Sequence, residues 1–108
     1  MKLIYAIVRD EDGHRVMKEL NNNGFGFTKL ASTGGFLRSG NTTLIIGVEE
    51  EQVDAVIKVV KSECESRKQV IVSSAPMVGM GSYTSVPITV DVGGATIFVM
   101  DVERFEKV

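Results

Sequence analysis

The chain is predicted to be an α+β domain: two β-α-β units sharing one antiparallel sheet, with an extra hairpin strand. Three observations predict this. Short β-branched runs and amphipathic helical runs come in the order strand, helix, strand, then strand, helix, strand. Each helical run carries one narrow apolar stripe, so each helix buries a single face. Gly93-Gly94 stands between two β-branched runs, which is a two-residue hairpin signal and supplies the extra strand. A chain of 108 residues makes one domain, spanning 1–108, with a core large enough to need no disulfide or metal.

Leu3-Ile-Tyr-Ala-Ile-Val8 is apolar on both faces, as expected of a strand in mid-sheet. Asp10 or Asp12 can cap the helix that follows, where Val16, Met17 and Leu20 form the stripe. Asn21-Asn-Asn-Gly24 stops it, because Asn and Gly tolerate the left-handed conformation of a helix end. Phe25–Leu30 reads as the second strand and Thr43–Val48 as the third. Glu49-Glu-Glu opens the second helix at the positive end of its dipole, and Val53, Val56, Ile57, Val60 and Cys64 make a clean buried stripe. Val70-Ile-Val adds a short strand. Ser73–Ser85 lacks periodicity and reads as a long loop, expected to be mobile without ligand, whose Met77, Val78, Met80 and Tyr83 need a surface to receive them. Val86–Val92 alternates, with Pro87 placing it at an edge, and returns through Gly93-Gly94 into Ala95–Asp101.

This order is the split βαβ, or ferredoxin-like, pattern. Two helices cover one face of the sheet. Leu3–Val8 has no polar side, so the other face is apolar as well, and with no third helix to cover it self-association is the economical answer.

Apolar content of 44% and charged content of 24% are those of an ordinary globular protein. The net charge of −2, without a basic block, argues against nucleic-acid binding. The apolar run at the start is strand-length, too short for a signal segment or a membrane span, so a cytoplasmic location without membrane insertion is expected. A single cysteine excludes an intrachain bridge, and its place on the helical stripe makes it a core residue rather than a nucleophile. His14 and Cys64 share no ligand spacing, so no metal is expected, and no serine lies in a nucleophile elbow.

The stretch Thr28–Thr43 holds three glycines, four threonines, two serines, a phenylalanine, two cations and an asparagine between apolar runs. Backbone N–H groups, hydroxyls and a flat ring suit a phosphate and a base. It is not a P-loop. Gly35–Thr42 fits that pattern except for its lysine, replaced by Asn41, and a strand follows where a helix is required. On composition alone, a ligand-free hairpin loop fits equally well.

The run Thr33-Gly-Gly-Phe-Leu-Arg-Ser-Gly-Asn-Thr-Thr43, with Leu3–Val8 before it and Val92-Gly-Gly-Ala-Thr-Ile-Phe-Val-Met100 after it, resembles the cyclic di-AMP receptor family of PII-like signalling proteins over essentially the whole chain. That resemblance implies a PII-like homotrimer, no catalysis and no cofactor, with cyclic di-AMP held at each inter-subunit cleft and read out to an unknown downstream protein through loop rearrangement. By position it implies that Asn41 and the Gly47 backbone read an adenine edge with Thr28 nearby, while Gly35, Phe36 and Leu37 wrap the ligand. Asn presents a donor and an acceptor that match adenine, and as a loop-end amide it is expected to contribute little to the core. Family members commonly carry Arg at the position of Gly26. Here that cation is absent, which leaves Lys29 and Arg38 for phosphate. A PII-like module for ATP or another nucleotide and a small ferredoxin-like phosphohydrolase are the alternatives.

Overall fold

The computed structural model describes residues 1–32, 40–76 and 83–108. Its elements are β1 (Lys2–Arg9), α1 (Asp10–Asn22), β2 (Thr28–Ser32), β3 (Asn41–Val48), a 3-10 turn (Glu50–Gln52), α2 (Val53–Cys64), β4 (Arg67–Pro76), β5 (Tyr83–Val92) and β6 (Ala95–Asp101). Four strands form one antiparallel sheet in the order β2-β3-β1-β6, and β4 pairs with β5 as a separate ribbon. The α+β class and the interleaved antiparallel order match the expectation, with β1 central and apolar.

Both helices lie on one face. Ile4, Ala6 and Val8 of β1 and Leu44, Ile46 and Val48 of β3 meet Val16 and Leu20 of α1 and Val56, Val60 and Cys64 of α2 in one buried cluster. Each fully buried Ile, Leu or Val contributes about 1.5–3 kcal/mol relative to exposure. The termini of α1 follow from its sequence in one respect and depart in another. Gly24, at φ +78°, ends the helix in a Schellman arrangement: Phe25 N–H donates to Leu20 O (2.9 Å) and Gly24 N–H to Asn21 O (3.0 Å). At the other end neither Asp10 nor Asp12 caps. The helix begins at Asp10 itself, Arg9 stands in the cap position without a side-chain cap bond, and Asp12 is fully buried inside the first turn. The 3-10 turn that precedes α2 starts with a capping box between Glu49 and Gln52, while α2 itself has no side-chain cap bond. No helix among the described residues is long and apolar enough to cross a membrane.

Three expectations are corrected. The second strand begins at Thr28, since Phe25 and Phe27 pack against the core from the connection. Ser73–Pro76 and Tyr83–Ser85 are not loop but paired strand, with Ser73 opposite Val86 and Pro76 opposite Tyr83; residues 77–82 lie outside the described residues. Val70 of β4 and Ile88 of β5 are exposed. Finally, Gly93-Gly94 joins two sheets rather than turning a hairpin: β5 pairs with β4, and β6 with β1. The ribbon runs ten residue pairs, roughly 34 Å at strand spacing, and the chain's radius of gyration is 18.4 Å where about 13 Å is usual for this length.

The ribbon's root is tied down closely. Gly94 N–H donates to Cys64 O, and Gly93 sits at φ +82°, where an added Cβ would come 2.5 Å from Glu65 O. Gly93→Ala therefore combines a left-handed backbone with a backbone collision. It should destabilise the fold by at least about 1–2 kcal/mol, read as a lower urea midpoint; an unchanged midpoint would show that the root yields freely.

Candidate functional site

Strand alternation and register determine which side chains share the face away from the helices. They are Leu3, Tyr5, Ile7 and Arg9 of β1, Asn41, Thr43, Ile45 and Gly47 of β3, Thr28 and Leu30 of β2, and Thr96, Phe98 and Met100 of β6. This second face is apolar over much of its area. Leu30, Phe98 and Met100 are 44%, 44% and 42% exposed, while its other end, around Ile7, Asn41 and Thr43, is buried.

Thr28, Asn41 and Gly47 all fall on this face. Thr28 pairs with Ile45 and is thus diagonal to Gly47 across one strand spacing. Gly47 is exposed, and nothing in the chain lies within 4 Å of where its Cβ would be, so intrachain packing does not demand a glycine there. Asn41, by contrast, is six residues away along an extended strand, about 20 Å. That is longer than one purine, so Asn41 and Gly47 of a single chain cannot meet the same adenine edge. Nor is Asn41 a loop-end amide: it opens β3 and is only 3% exposed. Lys29 pairs with Leu44 and so falls to the helix side of edge strand β2, away from Thr28 and Gly47. Gly35, Phe36, Leu37 and Arg38 lie outside the described residues.

The start of β3 is clamped on both sides of Asn41. Asp10 N–H donates to Gly40 O (3.0 Å) and Thr42 Oγ1 donates to Asp10 Oδ1 (2.7 Å). An added Cβ on Gly40 would collide with Asp10 Oδ2. Directly opposite Asn41 stands Arg9, the last residue of β1. Its Nη1 donates to Asp91 O at 3.4 Å, and its Nε is buried without a hydrogen-bond partner. Nothing in the residues flanking Arg9 singles it out, since it lies in no glycine-rich loop. Only the pairing register reveals its neighbour.

The family model described as cyclic-di-AMP receptor matches residues 1–108. The chain belongs to the cyclic-di-AMP receptor family. It is a cyclic di-AMP-binding, PII-like receptor. This receptor is 34% identical over 79 residues, covering 61% of its own length and 75% of the relative, to the nitrogen fixation nifHD region GlnB-like protein 1 of Methanothermococcus thermolithotrophicus. It also resembles the crystal structure of a functionally unknown protein from Pediococcus pentosaceus, with a TM-score of 0.78 and 39% identity, covering 99% of this chain and 96% of that one.

A groove of about 700 Å³ elsewhere on the receptor runs between α2 and β6, lined by Ile57, Lys58, Lys61, Gly94 and Ile97 among others. None of the residues expected to meet ligand lines it. Cys64, at its floor, is 1% exposed and is the core residue its helical position predicts. Burial, with the Asp12 carboxylate adding to it, pushes this thiol up to about 12. Native receptor at pH 8 should therefore resist alkylation that goes to completion in urea. The unfolded chain's thiol ionises first, at about 8.5, so the stability conferred by the neutral buried thiol holds below that pH and drains away as pH rises toward 12. Rapid labelling of the native protein would contradict this.

Proposed function

We propose that the receptor is a cytoplasmic, non-enzymatic homotrimer that holds cyclic di-AMP in the clefts between subunits and signals occupancy to a downstream protein through loop rearrangement. The observation that carries the reading is the shared face. Thr28 and Gly47 lie on the exposed part of an apolar face that another subunit would cover, and Asn41 lies at the buried end of the same face, so assembly and ligand binding use one surface. Asn41 and Gly47 are too far apart in one chain to hold one base. A cleft between copies resolves this, since Asn41 of one subunit can face the Thr28–Gly47 cluster of another. Gly35, Phe36 and Leu37 would wrap the ligand there, and a base stacked on Phe36 gains about 1–3 kcal/mol. Lys29, on the helix side of its strand, and Arg38 are the cations that the resemblance leaves for phosphate. No cofactor takes part. An ATP-binding PII-like module is the second reading, and no observation favours it.

Calorimetry against cyclic di-AMP, cyclic di-GMP and ATP tests the ligand. Guanine presents an acceptor where adenine has its N6 donor, and each buried group left unsatisfied costs about 1–3 kcal/mol. Cyclic di-AMP should therefore bind at least about tenfold more tightly than cyclic di-GMP; equal affinities would sink the assignment. Asn41→Ala should lose a similar amount, and because Asn41 is buried its melting temperature must be followed alongside. Light scattering tests assembly. The free receptor should run as a closed trimer at micromolar concentration, with stability that rises with concentration. A monomer would end the cleft model.

A further inference from the structure

We propose that Arg9 is the phosphate-binding cation of this receptor, its guanidinium meeting a phosphodiester oxygen of a cyclic dinucleotide held beside Asn41. The inference rests on the site assigned above and adds to it a residue that the resemblance does not supply. Three observations lead there. First, β1–β3 pairing sets Arg9 directly opposite Asn41 on the ligand face, where Cβ atoms of facing residues stand about 4.5–5.5 Å apart. Second, among the described residues of that face Arg9 is the only cation: Lys2 pairs with Val48 and Lys29 with Leu44, both on the helix side. Third, the guanidinium has donors to spare. Of its five N–H groups, one makes a 3.4 Å bond to Asp91 O, and the buried Nε has no partner at all. A buried donor without a partner is unfavourable, and a phosphate oxygen placed at Nε would satisfy it.

The local field alone does not supply that charge. The N-terminus of α1 begins beside Arg9, yet Asp10, Glu11 and Asp12 fill its first turn and offset the helix dipole. Asp10 is also engaged with Thr42 and Gly40 on the helix side of β3. A planar, permanently charged fork is the group suited to a phosphodiester in that setting.

The competing role for Arg9 is purely structural, as a tie to the ribbon at Asp91. Arg9→Gln separates the two, since glutamine keeps an N–H donor for Asp91 O and loses the charge. Arg9→Lys keeps the charge and loses the fork. Full-length receptor and both variants would be titrated with cyclic di-AMP by calorimetry at low and high salt, with melting temperature as the control on folding. Arg9→Gln should weaken binding by about tenfold or more, flatten its salt dependence and shift the phosphorus resonance of bound ligand, with little change in melting temperature. Arg9→Lys should retain most of the salt dependence. Arg9→Gln binding with wild-type affinity and wild-type salt dependence would overturn the proposal while leaving the receptor reading intact. A wild-type protein that fails to bind cyclic di-AMP would overturn both. If Arg9→Gln loses affinity only in step with a lowered melting temperature, and Arg9→Lys loses as much, the residue is structural and the proposal fails.

Discussion

The pairing of β1 with β3 is the constraint on which the remaining architecture depends. Eight residues of each strand run in unbroken antiparallel register from Lys2 opposite Val48 to Arg9 opposite Asn41. Both strands are interior to the sheet, and each carries apolar residues on both faces, so composition alone does not say which side meets the helices. The register decides it. A slip by one residue would turn Ile4, Ala6 and Val8 away from α1 and α2 and put Leu3, Tyr5 and Ile7 in their place. Taken up by β3 instead, the same slip would exchange Asn41 and Gly47 for Thr42 and Val48 on the ligand face. Core and ligand surface are therefore two sides of one alignment.

That alignment is held at its far end by the first turn of α1. Asp10 bonds the backbone before Asn41 and the hydroxyl after it, and Gly40 has no side chain because the carboxylate occupies that space. The strand thus begins in a set position, and the amide of Asn41 is presented from a fixed backbone rather than from the loop that precedes it. A recognition group built on a strand end is held more precisely than one on a loop.

Much of this was legible in the residues. The stripes of Val16 and Leu20 and of Val56, Val60 and Cys64 predicted which helix faces are buried, because a 3.6-residue period admits one solution. Asn21–Gly24 predicted the helix stop, because the left-handed end of a helix favours few residue types. The family resemblance selected Thr28, Asn41 and Gly47, all of which prove to share a face. What could not be read was whatever depends on pairing between distant segments. Gly93-Gly94 has the composition of a hairpin, yet the partner of β6 is β1, ninety residues earlier, and local composition carries no record of that choice. The paired ends of Ser73–Ser85 escaped notice because that stretch lacks the alternation by which strands are recognised. Arg9 was passed over for the same reason: its significance lies in its cross-strand neighbour.

Asp12 ties the ribbon to the body of the domain. Fully buried, it takes Arg15 from its own helix and Arg67 from the first residue of β4 at 3.4 Å, while Arg15 reaches on to Glu63 of α2 at 3.6 Å. With the Arg9 contact to Asp91 and the Gly94 contact to Cys64, these ties gather at the ribbon's root, beside Arg67 and Val92. Such an appendage is modular. Antiparallel pairing lets its length change by matched pairs of residues on β4 and β5 while Asp12 and Arg67 keep the root in place.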